Sequence, residues 1–207
     1  MITAEHAATF ERCMAVGGVA VFPADTVYGL ACDADTPDAV RRLYALKGRA
    51  PDKPAAVMFF DRSLALEALP ELGPRTRALL TRLLPGAVTA LLPNPLGRFP
   101  LACGPDPGTL GLRVPRLDGP LAALAGVSWP VLQSSANAAG GPDARRLDEV
   151  PERIRREADL LLDAGELAGT PSTVVDLRRY EEDKTWNIVR NGLMDAAEVA
   201  RAVEGLA

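Results

Sequence analysis

The sequence predicts an α/β fold, a single-domain twisted mixed sheet with helices packed on it. Two observations carry this reading. Short apolar strand-like runs alternate with segments of helical periodicity along nearly the whole chain, without an internal repeat. Hydrophobic residues make up 48% of the 207 positions, enough for a sizeable core, and no linker separates a second domain.

The elements follow in order. Thr3 is placed to cap a helix over Ala4–Ala15. Val19–Phe22 reads as a short buried strand that enters a Pro23-Ala24-Asp25-Thr26 turn. Thr36-Pro37-Asp38 opens the next helix with a capping threonine, proline at the first helical position and an acid in the first turn. Val40, Leu43, Tyr44 and Leu46 give that helix its apolar side. Ala55–Phe60 is a strand. Pro74 begins a helix with an apolar face of Leu79, Leu80, Leu83 and Leu84, and Ala87–Leu92 is again strand-like. Leu96–Gly108, rich in proline and glycine, reads as a loop. Strands are expected around Leu110–Val114, Pro130–Gln133, Leu160–Asp163, Thr173–Leu177 and Trp186–Val189. Helices are expected around Leu121–Ala125, Leu147–Glu157 and Asp195–Val203.

Composition narrows the function. The formal net charge is −4 and the pI about 5.1, which speaks against a broad nucleic-acid-gripping face but allows a locally cationic pocket. No run of about 18 apolar residues is present, so no membrane span is expected. The segment MITAEHAATFERCM lacks the basic-then-apolar pattern of a signal peptide, and the expected location is cytoplasmic. Cys13, Cys32 and Cys103 are widely spaced and read as reduced, mostly buried thiols. His6 is the single histidine, which excludes a histidine-based triad and a histidine-rich metal site. There is no GxxxxGK[ST] segment, so any ATP site is built from scattered cations and backbone amides.

The densest cationic segment is Lys47-Gly48-Arg49-Ala50-Pro51-Asp52-Lys53-Pro54. It holds two of only three lysines in a chain with 20 arginines. At the end of a helix such cations are favoured anyway, and they also suit a phosphate and a carboxylate held side by side. Thr26 reads either as a turn hydroxyl bonded to nearby backbone or as one facing a pocket. Tyr28 reads as core. Arg113, flanked by Leu112 and Val114, points to the opposite face from both. Ser134-Ser135-Ala136-Asn137 is compatible with a helix cap and with an anion-binding nest of amides.

Five segments occur in the order found in the YrdC-like family, the threonylcarbamoyl-AMP synthases, and the chain resembles that family over residues 18–192. They are Pro23–Leu30 with Lys47–Pro54, Pro85–Thr89, Gly108–Pro115, Ser134–Asn137 with Gly140 and Pro142, and Pro171–Asp176 with Ile188–Gly192. The resemblance implies one YrdC-like domain over 1–207, with no extra C-terminal domain. It implies that L-threonine, bicarbonate and ATP give threonylcarbamoyl-AMP and pyrophosphate, with Mg²⁺ carried in by ATP and no prosthetic group. It assigns Thr26, Arg113 and Ser172 to threonine. It assigns Lys47, Arg49, Lys53, Thr109, Ser135, Asn137, Asp143 and Arg190 to the nucleotide. No residue is assigned as acid or base. Lys47 and Arg49 act by positioning and charge stabilisation. The product would pass to a transferase that places threonylcarbamoyladenosine in tRNA, with weak or no direct nucleic-acid binding by this chain and no membrane partner. Ala24 and Ser134 stand where the family usually has threonine and proline, and Ala139 and Asp143 where it has serine. Alternatives are a double-stranded RNA-binding paralogue without activity, and a carbamoyl-adenylate enzyme with another acceptor.

Overall fold

A computed structural model describes residues 1–204. Helix α1 (Ala4–Ala15) is capped reciprocally, with the Thr3 hydroxyl accepting from the His6 amide and His6 Nδ1 accepting from the Thr3 amide. Strands β1 (Ala20–Pro23) and β2 (Tyr28–Asp33) form a hairpin. Helix α2 (Pro37–Lys47) follows and ends at Gly48, whose φ of 62° is left-handed. The rest of the chain runs β3 (Ala56–Met58), α3 (Arg62–Ala68), α4 (Pro74–Leu83), β4 (Val88–Pro93), α5 (Pro100–Cys103), β5 (Thr109–Arg113) and β6 (Val131–Ser135). It closes with α6 (Glu152–Glu157), β7 (Leu160–Leu161), β8 (Thr173–Asp176), α7 (Tyr180–Asp183), β9 (Asn187–Arg190) and α8 (Ala196–Glu204).

Among the described residues nine strands join one mixed sheet in the order β7-β1-β2-β6-β3-β5-β4-β8-β9. The pairs β1·β7, β3·β5 and β4·β8 are parallel and the others antiparallel. Alternation along each strand sorts side chains to two faces. On one face Leu30, Leu110 and Leu112 pack with Leu43 of α2 and Leu79, Leu80 and Leu83 of α4. On the other, Ala20, Phe22, Ala31, Met58 and Val131 pack with Phe10 and Met14 of α1 and with Leu121 and Leu124 of a 3₁₀ turn. Phe10, Phe22 and Phe60 meet there with ring centroids 5.3–6.1 Å apart. This second cover reaches as far as Val131 of β6 and Met58 of β3. From Gln133 of β6 and Ala56 of β3 towards β9 the same face bears the cavity described below.

Several expected elements differ. The segment after the Pro23–Thr26 turn is strand β2, a continuous apolar run buried in the sheet. Helix α3 was not expected, although Asp61 caps it through bonds from the Ser63 and Leu64 amides. Helix α7 was likewise not expected. The Leu96–Gly108 loop contains the single turn α5. The helix expected over Leu147–Glu157 is two pieces, a 3₁₀ turn Leu147–Glu149 and α6, because Pro151 lacks an amide hydrogen and ends the first. The helix expected around Leu121–Ala125 is 3₁₀, over Gly119–Gly126. All three cysteines are free and buried, and burial first of all pushes the thiols of Cys13 and Cys32 up to about 11 and 12.

Candidate active site

The site grows out of strand register. One row of paired positions crosses the sheet from Val131 to Met58, Arg113, Thr89, Val174 and Arg190. Its first two members belong to the α1-side core; the last four line a cavity of about 350 Å³. The next row, Gln133, Ala56, Gly111 and Leu91, makes its floor. Arg113 therefore faces away from Leu112 and Val114, both of which are core residues. Arg49, Thr109, Ser135, Asp143 and Ser172 also line the cavity.

Arg113 is buried, at 3% exposure. Its Nη2 donates to Asp25 Oδ1 and, at 2.6 Å, to Thr26 Oγ1. Its Nε is buried with no partner. Thr26 thus touches the cavity arginine rather than its own turn. Ser172 Oγ lies 2.8 Å from Thr89 Oγ1, and Arg190 Nη2 donates to the Ser172 carbonyl at 2.7 Å. Arg190 is exposed as a residue, while its guanidinium bonds to Ser172 are partly buried. At the cavity wall its guanidinium is desolvated enough to lower its pKa, with Asp143 opposing and Arg113 adding to the shift. Thr109 Oγ1 donates to Asp106 Oδ2 at 2.6 Å. Arg49 donates from Nη2 to the Pro54 carbonyl at 2.7 Å, and its Nε is also buried without a partner.

Lys47 and Asn137 stand behind this wall. Lys47 is 4% exposed. Its Nζ donates to the Ser135 carbonyl at 2.6 Å, to the Asn137 carbonyl at 3.2 Å and to Asn137 Oδ1. Asn137 in turn donates to the Gly141 carbonyl at 2.6 Å. Burial, reinforced by the Arg49 cation and opposed by Asp143, pushes the Lys47 ammonium down to about 8. Lys53 is exposed and lies outside the cavity lining. Tyr28 is buried core, its hydroxyl 2.8 Å from Asp163 Oδ1 and from the Gly165 carbonyl.

Sequence reasoning did not single out Thr89, Asp25, Gln133 or Gly111. Thr89 sits in the Pro85–Thr89 segment and was within reach, since alternation from the core residues Val88 and Ala90 turns it to the cavity face. Among the described residues no three His, Cys, Asp or Glu side chains converge as a metal site. Among those residues no helix is long and apolar enough to cross a membrane.

The family model Sua5/YciO/YrdC, described as "Telomere recombination", matches residues 12–192. The chain belongs to this family. A relative from Stutzerimonas stutzeri named threonylcarbamoyl-AMP synthase is 34% identical over 177 residues, covering 82% of this chain and 91% of the relative. One of the same name from Bacillus subtilis is 32% identical and covers 76% of this chain. Here the chain spans only 46% of the relative's length. Among solved structures, Pyrococcus abyssi Sua5 complexed with L-threonine superposes with a TM-score of 0.84 at 27% identity, over 98% of this chain and 58% of that one. Escherichia coli YciO superposes with a TM-score of 0.77 at 25% identity, over 96% and 95%. The α/β sheet is thus the one that this family's solved members share.

Proposed function

We propose that this chain is a threonylcarbamoyl-AMP synthase, using L-threonine, bicarbonate and Mg²⁺-bound ATP. The observation that carries the reading is the convergence of Arg49, Arg113 and Arg190 from three distant segments on one hydroxyl-bearing cavity, in a chain whose relatives bear that name. The threonine complex of the Pyrococcus neighbour supports the amino acid. In this reading the threonine amine and bicarbonate form a carbamate with loss of water. A carbamate oxygen then attacks the α-phosphorus, the α–β phosphoanhydride bond breaks, and pyrophosphate leaves.

Each step brings anions together, so the barrier that the protein lowers is mutual repulsion. Arg113, with Thr26 and Ser172, receives the threonine carboxylate. Arg49, Arg190, Thr109 and the Ser135 turn hold the phosphates, and Lys47 and Asn137 fix that turn from behind. Asp143 takes a ribose hydroxyl or the magnesium ion that travels with ATP. Lys53, from the cavity's outside, meets the outer phosphates only if its loop closes. The adenylate would pass to a separate cytoplasmic transferase that modifies tRNA. The test is pyrophosphate release from ATP and bicarbonate, with and without L-threonine. Release that ignores threonine would point to another acceptor, and no release under any combination would sink the enzymatic reading.

A further inference from the structure

The Asp25 carboxylate is engaged by the cavity arginine Arg113 and by the backbone amide of Arg116. Its Oδ1 accepts from Arg113 Nη2, and its Oδ2 accepts from the Arg116 amide at 3.0 Å. The pair is enclosed, with side-chain exposures of 3% for Arg113 and 9% for Asp25. Thr26 Oγ1, one residue on, takes a second bond from Nη2. Nη2 carries two hydrogens, so Asp25 and Thr26 use both. Nε is buried and has no partner among the described residues, which leaves Nη1, on a side chain that lines the cavity, as the donor open to a ligand. A planar guanidinium fixed at one corner has its remaining donors aimed in one plane. We infer that Asp25 is a positioning residue: it fixes the Arg113 guanidinium so that Nη1 is presented to the amino-acid carboxylate.

The anchoring is built from backbone. Asp25 sits in the β1–β2 turn, which is closed by the Ala24 amide donating to the Val27 carbonyl. Arg113 ends β5, four strands from β1 in the sheet. The contact therefore ties the turn to the cavity row, and Arg116 holds the carboxylate from the far side. A neutral amide at position 25 loses the charge and keeps one acceptor oxygen, which serves either Nη2 or the Arg116 amide but not both.

The inference rests on the proposed threonine reading, so its test has one arm that does not. The first arm is side-chain NMR of the arginine guanidinium groups in the free protein, with Arg113→Lys used to assign the Arg113 signal. Rotation about Cζ–Nη2 of Arg113 should be slow in the wild type and at least several-fold faster in Asp25→Asn. The second arm is steady-state kinetics. Asp25→Asn should raise KM for threonine about tenfold while kcat and KM for ATP change less than about twofold, and the same change made in an Arg113→Lys background should add less than twofold. Circular dichroism confirms that each variant is folded; should Asp25→Asn not fold, Asp25→Glu replaces it and should lie between the two in both arms. Unchanged guanidinium rotation overturns the inference, whatever the kinetics. So does an equal rise of both KM values, or a full effect without Arg113. Absence of threonine-dependent turnover in the wild type counts against the functional reading alone, because the first arm then still decides whether Asp25 orients Arg113.

Discussion

Lys47, at the end of α2, donates from Nζ to the carbonyl oxygen of Ser135 at 2.6 Å, joining a helix to a turn 88 residues away. An ammonium with three hydrogens meets the carbonyls of Ser135 and Asn137 and the Asn137 side chain. The cation thereby organises the turn that faces the cavity, and a phosphate need not touch it to feel it.

Lys47→Met tests this role. It leaves buried acceptors without a donor, and unmade buried hydrogen bonds cost about 1–3 kcal/mol. The urea midpoint at pH 7 should fall accordingly. The pH dependence has a definite sign. The native pKa is depressed from 10.5 to about 8, so above 8 the unfolded chain binds the proton that the native state has lost. Stability contributed by this group is therefore lost as pH falls towards 8 and complete above 10.5. The stability gap between wild type and Lys47→Met should widen in favour of wild type across that window, by on the order of 3 kcal/mol. A gap that stays flat from pH 7 to 10.5 would show that Lys47 titrates normally.

Arg113→Lys should weaken threonine binding more than ATP binding. Lysine supplies a compact cation without the planar guanidinium that meets Asp25 and Thr26 through one nitrogen and offers another to the carboxylate, and a hydrogen bond to a charged group contributes about 1.5–3 kcal/mol. Calorimetric titration with threonine, then with a non-hydrolysable ATP analogue, separates the two. Equal losses for both ligands would remove Arg113 from the carboxylate.

Gly111 on the cavity floor offers a different probe. A Cβ there would meet Ala56 Cα at 3.4 Å and the Ala55 carbonyl at 3.5 Å, near ordinary contact distance. Gly111→Val suits a strand and should shift stability by less than about 1 kcal/mol. Its methyl groups occupy the floor between Thr109 and Arg113, so ligand binding should be lost while the thermal melt is nearly unchanged. Retained binding with a normal melt would place the ligands elsewhere.

What the sequence disclosed follows the range of the forces involved. The bounds of α1 were legible because its cap, Thr3, and its apolar face are local. The direction of Arg113 was legible because alternation is local too. Strand β2 was missed because Tyr28–Asp33 shows no alternation, being covered on both faces by elements that come from elsewhere. The order of nine strands has no local signature. Nor has the row from Arg113 to Arg190, which exists only once β4 and β8 lie between them. Lys47 and Arg49 look alike in sequence, two cations after one helix. Only tertiary contact turns the first inward to Ser135 and Asn137 and leaves the second at the cavity wall.

The last prediction separates an enzyme from an RNA-binding module. ATP should be consumed only when L-threonine and bicarbonate are both present. L-serine should replace threonine poorly but measurably. The missing methyl in a fitted pocket contributes about 1–3 kcal/mol, which limits discrimination to roughly 10–200-fold in kcat/KM. Direct tRNA binding should be weak and should fall steeply with salt. The net charge is −4, and two of the cavity arginines, Arg113 and Arg190, are engaged with Asp25 and Ser172. A chain of net negative charge whose pocket cations are already engaged gains little from counterion release along a nucleic-acid backbone. Pyrophosphate release with each amino acid and a salt series of tRNA titrations measure both halves. Tight tRNA binding at physiological salt without threonine-dependent release would reverse the assignment.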